Sequence, residues 1–456
     1  MIEFNPTHTA RVCLALACAV LASGCASSQR AQSPARFSTS SGVSPARASA
    51  DTARLRKAPN LSRKSLVSAV LERNPEIESM RQAYTAARAR PAQVSTLPDP
   101  MLMYEFAPLS IGASNVPYGQ TIKLSQRFPW PGKLSGSEDK ANAEAEVVEQ
   151  RVEITRLDLA KEASTLYDDY WLVGRALETN AEHRELLKKL AEAVRAQYAV
   201  GRGQARDQVA VDVELAQLER QDLVLTSDQE SLRAQLNVLM HEPPDAPLPK
   251  PPRKLDVATQ APPSSPELQR IALGNRAELR AVDAEVRAAE AQGEVAERQY
   301  YPDITVSGTY TSMFRMTEHQ WMLGVEVPLP IAQGSRDGAV DEANARAASA
   351  RGRVKRVADQ LRLQVDEQRR RLLQAIAIVK LYEKRLVPVA KQQVSVGLGA
   401  YQTSGTDFSD VISAENKLRD IQLAELMAWA ELSKRRAELC RAVGQPAHQC
   451  KLGGAK

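Results

Sequence analysis

The sequence predicts a mainly α-helical chain with a small β part. One unit, helix–strand–strand–long helix–long helix, is laid down twice. Three observations carry this reading. Ala, Glu, Gln, Arg and Leu dominate while aromatic residues make up only 5%, the bias of long helices and coiled coils. Four short segments alternate with a period of two. The landmarks of the first half then recur in the second at a nearly constant spacing.

The chain opens on a short apolar run, Val12 to Cys25, behind Arg11. It is too short to cross a bilayer as a helix and fits the core of an export signal over residues 1–24. Its end, "LASGC", resembles the lipobox of bacterial lipoproteins, which makes Cys25 the lipid-bearing mature N-terminus. Ala26 follows it, and by the sorting rule of such lipoproteins this directs the chain to the outer membrane. Residues 25–65 read as a flexible basic linker. Eight basic residues there (Arg30, Arg36, Arg47, Arg54, Arg56, Lys57, Arg63 and Lys64) face Asp51 alone, so the linker carries roughly +7 and, with +5 for the whole chain, the body is about −2, close to neutral. The linker has almost no aromatics on which bases could stack, which argues against nucleic-acid binding.

The first repeat covers 66–242. A helical pattern begins at Leu66 and runs through "RPAQ". Strands follow at about 101–107, with Leu102, Tyr104 and Phe106 on one face, and about 120–128, with Ile122, Leu124 and Phe128 on one face. A long helical body runs from about Ser137 to Met240, interrupted near Val200–Asp207. A Pro-rich linker, 243–264, leads to the second repeat, 265–445, and a tail, 446–456. The second repeat holds a helix from about Pro266 to Gln299, strands at about 303–313 and 319–329, and a long body from about Asp337 to Val443. Val365, Leu372, Val379 and Leu386 recur every seven residues, a packing seam, and Leu187, Leu190 and Val194 start a shorter one. Pro388 should kink the second body. Pro98-Asp99 matches Pro302-Asp303 at an offset of 204, Pro129 and Pro131 match Pro328 and Pro330 at 199, and Tyr198, Asp207 and Leu215 match Tyr401, Asp410 and Leu418 at 203.

A helix of about 60 residues is roughly 90 Å long and must lie against other rods. The four strands leave edges that need closing, and no segment is apolar enough for a membrane helix. In an exported chain this points to an outer-membrane barrel shared among several copies.

At this point the sequence resembles the TolC-like outer-membrane efflux family from about Leu66 to Val443. "LPDP" before the first strand and "LSQRFPWPGKL" after the second resemble its heavy-metal branch, the CzcC- and CusC-like lipoproteins. The resemblance implies a homotrimer with a twelve-stranded outer-membrane β-barrel, four strands from each chain, and a long periplasmic helical tunnel. It implies docking to a periplasmic adaptor and an inner-membrane pump of the RND type. The corner residues Pro129, Trp130, Pro131 and Gly132, with Pro328 and Pro330, would hand the barrel over to the tunnel. The turns between the long helices of each repeat would lie at the periplasmic tip. There the resemblance implies gate residues: Asp410, at a position where relatives ring the tunnel mouth with aspartate, and Tyr401, with Asp407 and Asp207 beside them. A second aspartate position holds Ser413, and a position that often carries arginine holds Thr406. Without the resemblance, Asp207 and Asp410 read as helix N-caps.

Cys13 and Cys18 leave with the signal, so Cys440 and Cys450 remain, in a compartment that permits a disulfide; a pair of free thiols is the alternative. No cofactor and no metal set is expected, since His183, His241, His319 and His448 are scattered. Met101, Met103, Met313, Met316 and Met322 read as space-filling side chains or, less simply, as soft metal contacts. Trp130 and Trp321 suit an interfacial girdle or plain packing. No catalytic constellation is evident, so an enzyme is not expected. The function expected is a passive exit duct, with heavy-metal cations as cargo. The alternatives are a general drug-efflux or type I secretion duct and a structural coiled-coil lipoprotein spacer.

Overall fold

The computed structural model describes residues 58–107, 119–199, 204–312, 320–402, 407–446, 448 and 450. The signal segment, Cys25 and most of the basic linker lie outside the described residues, as do Met313, Met316, His319 and Thr406.

Each repeat opens with two short helices where the sequence reads as one. They are α1 (Arg63–Arg73) and α2 (Pro75–Val94) in the first repeat, α5 (Ser265–Asn275) and α6 (Ala277–Arg298) in the second. The breaks fall at Asn74 and Arg276, both in extended conformation. Pro75 disfavours helix at the residue before it, and the Asn74 side chain caps α2 by accepting the Glu76 N–H at 2.9 Å. Both break residues are buried and both serve a distant helix end. Asn74 donates to the Leu239 carbonyl at 3.1 Å, and Arg276 to the carbonyls of Arg441 and Ala442 at 3.1 and 3.0 Å. Those are the unsatisfied last carbonyls of the helices that close each repeat, α4 (Ala205–Leu239) and α9 (Phe408–Ala442).

The long rods are α3 (Lys133–Ala199, 67 residues) and α7 (Gln333–Leu381, 49 residues), the latter continued by α8 (Val387–Gln402). Both start about four residues ahead of the sequence reading. The seam residues Val365, Leu372 and Val379 are fully buried, while Leu386 is only half-buried. Between α7 and α8 lies one π-helical stretch, Tyr382–Leu386, in which the Val387 N–H reaches the Tyr382 carbonyl. Pro388 explains it: the ring supplies no N–H for the carbonyl four residues back, and the helix absorbs the loss as a bulge. Beyond the bulge Ala390 and Val394 take over the buried positions.

Residues 243–264 form a strap held on α3: the Trp171 indole donates to the Pro252 carbonyl at 2.8 Å, and the Leu61 N–H to the Lys250 carbonyl at 2.9 Å. Leu61 is buried, so the packed body begins a few residues before 66.

The strands β1 (Met101–Ala107), β2 (Gly119–Phe128), β3 (Ile304–Thr311) and β4 (Trp321–Glu326) form one antiparallel sheet in the order β1-β2-β3-β4. β4 ends at Glu326, short of the 329 read from alternation, because Pro328 and Pro330 have no N–H to give a ladder. The register puts Leu102 opposite Leu124, Tyr104 opposite Ile122, Tyr310 opposite Trp321 and Val306 opposite Val325. Opposed residues share a face, so one side of the sheet is apolar. The other carries Lys123, Thr309, Ser307, Glu105 and Glu326, with Met101, Met103 and Met322 among them. Leu102, Leu323 and Val325 are 72%, 93% and 70% exposed in the single chain. Such a face needs lipid or protein to cover it.

Candidate functional site

The candidate residues fall in two regions: the corner at the end of the sheet and the tip of the long helices.

At the first corner the turn Pro129–Gly132 is held by the second repeat. Asp303, just ahead of β3, accepts the Trp130 N–H at 3.1 Å and the Lys133 ammonium at 2.8 Å, and pairs with the Arg127 guanidinium. Burial opposes its charge, but the bonds from Lys133, Arg127 and the Trp130 N–H win and hold the carboxyl down at about 2. The Trp130 ring stacks on Tyr301, centroids 5.0 Å apart and planes 12° from parallel. Gly132 sits at φ +90°, and a Cβ there would lie 2.5 Å from Arg298 Nε. The first turn of α3 holds no acidic residue; Asp303 of the second repeat stands at that end instead. The second corner, Pro328 and Pro330, turns through bonds from the Ile331 N–H to the Leu329 carbonyl and from the Gln333 N–H to the Ile331 carbonyl, both 2.9 Å.

At the tip the hairpins of the two repeats share one apolar cluster. Leu187, Val194, Val211 and Leu218 of the first repeat bury Phe408 and Ile412 of the second. Tyr401 tilts against Phe408, ring centroids 5.3 Å apart, and donates its hydroxyl to Gln197 Oε1 at 2.9 Å. Burial, with the Asp207 carboxylate nearby, pushes that hydroxyl above its ordinary value. Arg206 stands between two of the acids: its Nη2 is 3.3 Å from Asp407 Oδ1 and its Nε 3.7 Å from Asp207 Oδ1. The structure thus groups Tyr401, Asp207 and Asp407. Asp410 is exposed and has no ion-pair partner among the described residues.

The N-cap reading of the aspartates is corrected. The N-caps are Gln204 and Asp407, and Asp207 and Asp410 are each the third residue of their helix. Their charge still suits the positive end of the helix dipole. Sequence reading missed Arg206, Gln197 and Phe408. The adjacent pair Arg206-Asp207 is a local signal, whereas Gln197 has none.

Higher in the helical body, His183 on α3 faces Glu415 on α9, Nδ1 to Oε2 4.0 Å, both buried. Burial first, then the Arg419 charge, pushes the imidazole down to about 4; burial pushes Glu415 up. Near neutral pH the imidazole is therefore uncharged. Among the described residues no group of three His, Cys, Asp or Glu could hold a metal ion, and no helix is long and apolar enough to cross a membrane. Cys440 is bonded to Cys450, Cα atoms 5.8 Å apart.

A four-stranded sheet with one apolar face, turned by a proline corner onto paired long helices, is the architecture of an outer-membrane channel-tunnel. The fold is shared with CusC (TM-score 0.73, 15% identity, 84% of this chain and 92% of that one). It is also shared with VceC from Vibrio cholerae (0.70, 18%, 84% and 96%) and with the open-state MtrE channel of Neisseria gonorrhoeae (0.70, 18%, 84% and 89%). At these identities the likeness is one of fold. No curated protein matches the sequence. Residues 268–445, most of the second repeat, match the family described as outer membrane efflux protein. The family match lies in the second repeat, and together with the shared fold it makes this chain similar to the TolC-like outer-membrane efflux proteins.

Proposed function

We propose that this protein is the outer-membrane exit duct of a tripartite efflux system and that its cargo is heavy-metal cations. Three copies would join their sheets into a twelve-stranded barrel and their helices into a periplasmic tunnel. A periplasmic adaptor and an RND-type inner-membrane pump would feed it, and acylated Cys25 would add a lipid anchor. The observation that carries the cargo assignment is the first corner. The corner's "LSQRFPWPGKL", with "LPDP" ahead of β1, resembles the heavy-metal branch, and the fold likeness to CusC is compatible with it. The polar face of the sheet, with Glu105 and Glu326, suits a cation path. A general drug duct is the second reading, since the fold likeness to VceC and MtrE, at TM-score 0.70 against 0.73 for CusC, does not set CusC apart.

Deletion in a strain without redundant ducts, followed by growth on a panel of metals and drugs, separates the two. Metal sensitivity alone supports the cargo assigned here; drug sensitivity alone overturns it. Purified protein should conduct ions in planar bilayers, and a chain that conducts nothing would support a structural spacer. Metabolic labelling with palmitate should mark the wild type and not Cys25→Ser.

A further inference from the structure

We propose that Asp99 completes the second corner of a neighbouring copy of this chain, and that β4 of that copy pairs with β1 in one definite register. The inference rests on the homotrimer reading above and adds the contact that would close it.

The repeat supplies the argument. Within one chain, the junction from β2 to β3 is locked by Asp303, which accepts the Trp130 N–H, while Tyr301 stacks on the Trp130 ring. The landmarks equate Pro302-Asp303 with Pro98-Asp99, hence Tyr301 with Leu97, and Pro129–Pro131 with Pro328–Pro330, hence Trp130 with Leu329. The corresponding junction, from β4 to a β1, does not exist inside one chain, because these strands are the two edges of the sheet. Its parts are left open. Leu97 is 46% exposed and Leu329 75%. Among the described residues the Leu329 N–H has no acceptor and the Asp99 carboxylate no donor. The missing junction therefore has the same plan as the one observed: a carboxylate on an N–H between two prolines, with an apolar pair beside it. Leu97 on Leu329 replaces Tyr301 on Trp130.

The cations do not carry over. Arg127 corresponds to Glu326, and Lys133 falls at Ala332. The intersubunit corner thus keeps the N–H bond and the apolar pair and loses the charge pairing, which makes it the weaker of the two.

The same correspondence fixes the register. Phe128 pairs with Ile304 in the chain, so Val327 would meet the partner subunit's Pro100, and Glu326 the partner subunit's Met101. Val325, Leu323 and Trp321 then oppose Leu102, Tyr104 and Phe106 of the partner subunit. This continues the apolar face across the subunit boundary without a break. A slip of one residue would set those side chains against the polar face instead.

Cysteine pairs in the full-length chain, purified in detergent, test it. Tyr104→Cys with Leu323→Cys should oxidise to covalent dimers and trimers, since directly opposed strand residues lie within disulfide reach. Met103→Cys with Leu323→Cys, one position out of register, should give none. Asp99→Ala should lower the temperature at which trimers dissociate in SDS by several degrees, and Asp99→Asn, which still accepts from an N–H, should recover part of the loss. If light scattering finds trimers but the first pair fails to cross-link, or Asp99→Ala leaves dissociation unchanged, the proposed contact is wrong and the trimer stands. If light scattering finds only monomers for the unmodified chain, the homotrimer reading falls and the contact with it.

Discussion

Arg206 of the first repeat reaches Asp407 of the second, Nη2 to Oδ1 3.3 Å, across the tip of the long helices. The contact joins hairpins some two hundred residues apart in sequence, at the turns where the resemblance implies a gate. Both side chains are more than 60% exposed, so the pair is worth at most about 1 kcal/mol and is screened by salt. If the tip is the proposed gate, a tie this weak would release readily.

Arg206→Ala should therefore leave the thermal midpoint nearly unchanged and raise the fraction of time the channel spends open in planar bilayers. Asp410, exposed at the same level, should contribute to cation affinity at the mouth. Single-channel recording of Asp410→Ala should show weaker block by divalent cations. Unchanged block and conductance would remove Asp410 from the gate.

Asp303 should set the acid limit of the corner. Its carboxyl is held at about 2, below its ordinary value, so the folded state binds fewer protons than the unfolded one between about pH 4 and 2. Its stabilisation is complete above about pH 4 and is lost as pH falls toward 2. Asp303→Ala leaves the largely buried Lys133 ammonium without this partner and should cost about 3 kcal/mol near neutral pH. Denaturant melts at pH 7 and pH 2.5 check both statements: the gap between wild type and variant should narrow in acid.

His183 gives a second pH dependence in a higher window. Its imidazole titrates at about 4 in the folded chain and near 6.5 when unfolded, so stability falls as pH is lowered from 6.5 toward 4. Glu415, its carboxyl raised by burial, works in the opposite sense just above its ordinary value. The charged groups that act on the imidazole are Arg419 and Asp420, both on α9. His183→Gln should flatten the fall between pH 6.5 and 4 in thermal melts. A slope equal to the wild type's would show that another group carries it.

Two glycines should respond oppositely to alanine. Gly132 at φ +90° confronts Arg298, and Gly132→Ala should cost about 1–2 kcal/mol. Gly293 lies inside α6 with nothing within 4 Å of an added Cβ, and Gly293→Ala should stabilise by up to about 1 kcal/mol. Paired urea melts decide the signs.

The Cys440–Cys450 bond closes a short loop over the end of α9 and should stabilise the chain by about 2.5 kcal/mol on the chain-entropy account. Reduction, or Cys450→Ser, should lower the thermal midpoint. Mass spectrometry of the mature protein that finds two free thiols would refute the bond.

The sequence by itself determined the repeat, the helical rods, the four strands and the faces of those strands. These follow from periodicity and from proline, which act between near neighbours in the chain. It also marked Pro129–Gly132 as a corner, because two prolines and a glycine constrain the backbone locally whatever surrounds them. Tertiary structure alone decided what each irregularity is for. Arg276 breaks the α5–α6 pattern because two carbonyls of α9, about 165 residues away, need its guanidinium. Asp303 lies on the Trp130 N–H because the sheet brings β2 and β3 together. Arg206 lies by Asp407 because the repeats pack tip to tip. A donor or a charge does not name its distant partner in sequence. Burial makes an unmet group costly, and only the packed chain shows which neighbour meets it.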